Sequence, residues 1–84
     1  MRFTVKLEKQ PQKELDKIPQ EYKKRIFVIL ETLGNNPYLG KKLEGELKGL
    51  YSCRVWPYRI VYRIYKNALL VIVLKIAHRQ GVYK

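Results

Sequence analysis

Residues 58–65 read Tyr-Arg-Ile-Val-Tyr-Arg-Ile-Tyr. One parity carries Tyr58, Ile60, Tyr62 and Ile64, and the other carries Arg59, Val61, Arg63 and Tyr65. Alternation of period two marks a strand with one face in a core and one in water. The same pattern predicts a strand over residues 50–55, with Tyr51, Cys53 and Val55 inward and Ser52 and Arg54 outward. Trp56-Pro57 makes the turn between these two strands. A last strand over 68–77, after a turn at Lys66-Asn67, is apolar on both parities and so belongs inside a sheet. Near the start, Phe3-Thr4-Val5-Lys6-Leu7 alternates as well and predicts a first strand over 2–8.

Between the first strand and the rest, the period lengthens. Pro11 suits the first turn of a short helix with Leu15 and Ile18 on one side. Pro19 starts a second helix at its own first position. There Tyr22, Ile26, Ile29, Leu30 and Leu33 form one apolar stripe. Gly34-Asn35-Asn36-Pro37 predicts the stop, with glycine in a left-handed position past the helix end and proline forbidding continuation. Residues 35–46 read as a loop. The order is β-α-α-β-β-β, an α+β domain spanning residues 1–84. Its antiparallel sheet is expected to be covered on one face by the two N-terminal helices.

Charge sharpens this picture. The net charge is +11 in 84 residues, and its distribution is one-sided. All seven acidic residues lie at or before Glu46, whereas Lys48, Arg54, Arg59, Arg63, Lys66, Lys75, Arg79 and Lys84 follow it. Such a basic half predicts an anion-binding surface and a polyanionic partner. A helix-covered face buries an unpaired guanidinium only at high cost, so Arg54, Arg59 and Arg63 are expected together on the open face. The end of the last strand is expected to bring His78 and Arg79 to the same edge. Arginine presents a planar fork matched to phosphate, and Tyr65 and Tyr83 are placed to stack on bases. Tyr51, Tyr58 and Tyr62 read as ordinary strand packing.

The remaining composition narrows the chemistry. A single cysteine, Cys53, allows no intramolecular disulfide. One Cys, one His and a carboxylate-free basic half do not build a metal cage, so no metal or other cofactor is expected. The longest apolar run, Ala68 to Leu74, falls far short of the roughly 20 residues a membrane span needs. No signal-peptide core opens the chain, and a cytoplasmic location is expected.

The stretch LKGLYSCRVWPYRIVYRI, followed by VIVLKIAHRQGVY, resembles the RelE/ParE family of toxins from toxin–antitoxin systems. The helical QKELDKIPQEYKKRI and the loop NNPYLGKKLEGELKGLY resemble it too, so the likeness covers nearly the whole chain. The L-x-G-L-Y entry to the second strand, the PYRIVY core and the closing HR…VY carry most of it. The resemblance implies an antiparallel sheet flanked by helices and a co-expressed antitoxin partner. It also implies one of two activities. RelE-type members are endoribonucleases that cut messenger in the ribosomal A site, and ParE-type members inhibit DNA gyrase without cutting RNA.

For the RelE branch, the family's basic and terminal residues fall on Arg59, Arg79 and Tyr83. Ser52 and Arg54 occupy positions where some members carry two lysines. An arginine is a poor general base, so this departure touches proton transfer and leaves phosphate clamping intact. Arg54, Arg59 and Arg79 are the expected charge-stabilising groups. His78, the one histidine, is the expected proton-transfer candidate, with Tyr83 and Lys48 behind it. Lys41, Lys42, Lys48, Ser52 and Arg63 are expected to bind RNA. Ribosome and messenger, and operator DNA through the antitoxin complex, complete the implied partners. A degenerate toxin that only binds its antitoxin is a third reading.

Overall fold

The computed structural model describes residues 2–78. The first strand, β1 (Thr4–Leu7), leads into two helices, α1 (Lys9–Lys17) and α2 (Gln20–Asn35). A 3₁₀ turn at Pro37–Leu39 follows, and then a two-residue strand, β2 (Lys41–Lys42). The chain closes with β3 (Leu50–Val55), β4 (Tyr58–Tyr65) and β5 (Leu70–His78). All five strands form one sheet in the order β1-β5-β4-β3-β2. The α+β class and the β3-β4-β5 meander expected from the sequence are present, and β5 lies inside the sheet.

The pattern left two features of the sheet unspecified. The β1–β5 pair is parallel, with Thr4 opposite Leu70 and Leu7 opposite Val73. The stretch expected to be loop contains β2, which pairs antiparallel with β3 through Lys41–Ser52 and Lys42–Tyr51. Two residues are too few to show a period.

The core lies between the helices and one face of the sheet. Ile26 and Leu33 of α2 meet Ile60, Tyr62, Val71, Val73 and Ile76, and each of the seven is completely buried. Burying one such side chain contributes roughly 1.5–3 kcal/mol relative to exposure. Helix α1 is tied to β5 by the Gln10 side chain. Its Nε2 donates to the Ile76 carbonyl and its Oε1 accepts from the Ile76 N–H, both at 3.3 Å. The amide thereby satisfies the Ile76 backbone groups beyond the end of the β1 ladder.

Gly34 corrects the expected helix stop. It sits within α2 rather than past it, buried, where the Phe3 N–H donates to its carbonyl at 2.7 Å. A Cβ here would lie 3.1 Å from the Phe3 carbonyl oxygen and 3.2 Å from Arg2 Cζ. The residue is small because β1 approaches closely. Arg2 reinforces the junction by donating to Asn35 Oδ1 at 2.9 Å, a cation at the end of a helix where the dipole favours it. Pro19 likewise moves by one place, from the first helical residue to the cap.

Candidate nucleic-acid interface on the open sheet face

Strand register decides which side chains share the face away from the helices. Ser52 pairs with Val61, Arg54 with Arg59, and Leu50 with Arg63. Continuing across the sheet, Val61 pairs with Lys75, Arg59 with Ala77 and Arg63 with Ile72. One row therefore runs Lys41–Ser52–Val61–Lys75, the next runs Arg54–Arg59–Ala77, and Lys6 extends the Arg63 row. Arg54, Arg59 and Arg63 lie on one face, as the alternation predicted. Arg54 and Arg59 are directly opposite one another, and like charges in that position are mildly destabilising.

The site has a shaped centre. An open cleft of about 300 Å³ is lined by Leu39, Gly40, Lys41, Ser52, Cys53, Arg54 and Arg59. Ser52 was expected to be exposed. It is instead buried, held between Lys41 and Val61 in the middle of its row, and its Oγ has no hydrogen-bond partner in the structure. A buried hydroxyl of this kind is an unusual feature. Arg54 stands exposed beside it. Burial raises the thiol pKa of Cys53, which lies on the core side of β3.

The expected RNA-binding residues divide between the faces. Lys41 shares the Ser52 row, whereas Lys42 pairs with Tyr51 and belongs to the helix-side parity. Lys48 is exposed in the turn before β3, outside the cleft lining. Arg63 is exposed one row beyond Ser52 and is not part of the cleft.

His78 requires a correction. It lies at the expected end of β5 but on the other face, paired with Tyr58, whose ring it meets edge-on at 5.8 Å. Tyr58 in turn meets Tyr22 of α2 edge-on, and the Arg25 guanidinium lies 5.9 Å from the Tyr22 ring centre. The imidazole thus ends an aromatic row on the helix side, opposite the arginines. The cause is a bulge in β5. Val61 pairs with Lys75 but Tyr62 pairs with Val73, so Leu74 is an extra residue and all later side chains change face. Arg79 and Tyr83 lie outside the described residues.

Two contributors to this face, Lys75 and Lys6, and one residue on the opposite face, Tyr62, were not singled out by the sequence. Lys75 is a lone cation in an apolar strand, and the bulge carries it to the arginine side. Lys6 is the polar member of the β1 alternation. Tyr62 is fully buried, and its hydroxyl organises the loop before β2. No sequence signal separates Tyr62 from its packing neighbours.

Among the described residues, no three of His, Cys, Asp or Glu come together as a metal site. No described helix is long and apolar enough to cross a membrane.

A basic sheet face backed by a helix-packed core defines a small α+β domain, and comparison with known proteins places it. Residues 2–83 match the family of ParE toxins of type II toxin–antitoxin systems. The chain is 32% identical to the RelE1 protein of Methanocaldococcus jannaschii, covering 100% of this chain and 98% of that protein. Its fold is similar to the RelBE2 toxin–antitoxin complex of Mycobacterium tuberculosis, with a TM-score of 0.86, 30% identity, and coverage of 94% of this chain and 93% of that one. It is also similar to the archaeal RelE–RelB complex of Pyrococcus horikoshii, with a TM-score of 0.83, 28% identity, and coverage of 98% and 100%. The chain belongs to the RelE/ParE superfamily of type II toxins.

Proposed function

We propose that this toxin is a ribosome-dependent, metal-independent endoribonuclease that cuts messenger in the A site and arrests translation in the cytoplasm. The observation that carries the reading is the Arg54–Arg59 pair, set on adjacent strands of a rigid open face beside an exposed Arg63. Metal-free RNA cleavage uses the ribose 2′-hydroxyl to attack the adjacent phosphorus, expelling the 5′-oxygen of the next nucleotide. Charge accumulates on the phosphorane oxygens as the bond forms. Guanidinium forks fixed before the reaction stabilise that charge without reorganising, which is often the largest single contribution to catalysis. In this reading Arg79 joins Arg54 and Arg59 in the clamp, and Tyr83 assists the leaving oxygen. Lys41 and Ser52 line the cleft that receives the nucleotide.

The placement of His78 beside Tyr58 argues for a structural role over a catalytic one. Proton transfer is then a modest part of the rate, and positioning of messenger by the ribosome supplies much of the rest.

The similar chains from M. tuberculosis and P. horikoshii were solved as toxin–antitoxin complexes. A cognate antitoxin is the corresponding partner here. Its binding segment would be acidic enough to match the +11 charge, and the affinity would fall with added salt.

Primer extension on messenger held in ribosomes with an empty A site tests the nuclease reading. Wild-type protein should leave discrete cuts in the A-site codon, and Arg59→Ala and Arg79→Ala should abolish them. Intact messenger from a protein that still arrests growth would overturn the reading, and inhibition of gyrase supercoiling would then identify the ParE-type activity.

A further inference from the structure

The hydroxyl of Tyr62 does work that packing alone does not require. The residue is on the inward parity of β4 and is completely buried, with its ring stacked on Tyr51 at 5.6 Å. Phenylalanine would fill the same space. Yet the hydroxyl reaches out of the core to the loop before β2, donating to the Pro37 carbonyl at 2.7 Å and accepting from the Gly40 N–H at 2.9 Å. Both of its hydrogen-bonding capacities are spent on one segment of four residues. That segment has no slack. A Cβ on Gly40 would stand 2.6 Å from the Tyr62 hydroxyl and 2.8 Å from the Ser52 carbonyl oxygen, closer than real Cβ contacts occur.

The next residue is Lys41, paired across the sheet edge with Ser52. Lys41 and Gly40 form one wall of the cleft, and Ser52, Arg54 and Arg59 form the other. A two-residue edge strand has little ladder of its own to hold it. An exposed lysine on a four-carbon stem is a poor fixed charge unless its backbone is fixed first.

We propose that Tyr62 is a positioning residue for RNA binding: its buried hydroxyl locks Pro37–Gly40 and thereby holds Lys41 over Ser52 as a phosphate contact of the cleft. Ser52 Oγ, buried and without a partner at the foot of that wall, is the neutral donor beside it. The proposal rests on the reading of the open face as an RNA site, and it assigns that site a cation that β3 and β4 do not supply.

The test measures binding of a short single-stranded RNA with 2′-O-methyl riboses, which the proposed chemistry does not cleave, by fluorescence anisotropy across a range of salt. Tyr62→Phe and Lys41→Ala should each weaken binding roughly tenfold, the scale of a hydrogen bond to a charged group. Each should lower the slope of log affinity against log salt by about 0.7, the value for one phosphate contact on a single strand. The double variant should bind no more weakly than Lys41→Ala, because both changes remove the same contact. Wild-type affinity and slope in Tyr62→Phe, or additive losses in the double variant, would overturn the proposal.

Gly40→Ala keeps the phenol but displaces the loop. It should show the same loss and the same non-additivity with Lys41→Ala, and it decides the matter by the same criterion if Tyr62→Phe does not fold. Arg54→Ala separates the two levels of the argument. Loss of binding in Arg54→Ala but not in Lys41→Ala overturns the role of the loop and leaves the RNA site standing. Wild-type binding in both removes the RNA site and the proposal with it.

Discussion

The two faces of the sheet are made by the same strands and differ in almost every property. In β4, Ile60 and Tyr62 are completely buried in the core, while Arg59 and Arg63 on either side of them look the other way. The helix side has complementary apolar shapes. The open side has a directly opposed arginine pair, a buried hydroxyl without a partner and a cleft. By the rules that stabilise sheets, the open side is the poorer half. Stability comes from the residues one position away in sequence.

This contrast can be broken most forcefully at Ile60. Ile60→Ala should cost about 2–5 kcal/mol, seen as a lower midpoint in urea unfolding, because it opens a cavity at a fully buried site. Its neighbour in space but not in face, Arg54, should behave in the opposite way. Arg54→Ala should leave the urea midpoint within about 0.5 kcal/mol of wild type, as exposed sites usually do. It should nonetheless slow cleavage of ribosome-held messenger about 10²-fold, the scale of losing one charge-stabilising donor. A stable and fully active Arg54→Ala protein would sink the division of labour.

A smaller effect sharpens the comparison at the loop hinge. Desolvation raises the pKa of Tyr62 to about 12, against 10 for an ordinary phenol. The unfolded chain therefore releases this proton first as pH rises. The stabilisation is present in full below pH 10 and is lost as pH climbs toward 12. Subtracting the alkaline unfolding curve of Tyr62→Phe from that of wild type should reveal this component, and a flat difference would show that the hydroxyl is not held as described. Cys53, buried and with its thiol pKa raised by desolvation, should give the mildest readout. Its reaction with a disulfide reagent should run at least ~10³-fold slower in the native protein than in denaturant, since attack requires transient opening. Fast native labelling would mean that the β3 wall of the cleft is looser than its burial implies.

Much of this was legible in the sequence wherever a period could be counted. Six residues at 50–55 and eight at 58–65 were enough to give β3 and β4 their bounds and to put three arginines on one face. Where counting fails, so does the reading. Two residues cannot show alternation, so β2 was hidden in a loop. Strand β5 is apolar on both parities, so nothing in its composition betrays the extra residue at Leu74 that moves His78 across the sheet. Gly34 looked like a helix terminator because its partner, the Phe3 backbone, is remote in sequence. The Tyr62 hydroxyl was illegible for the same reason, since its two partners become neighbours only once the fold exists.

The parallel pairing of β1 with β5 sets a clock on synthesis. Strand β1 emerges first and has no partner until residues 70–78 have been made, and the interior of the sheet is missing until the same moment. Contacts of such wide sequence separation form late, and a nascent chain cannot close this core while its last strand is still being added.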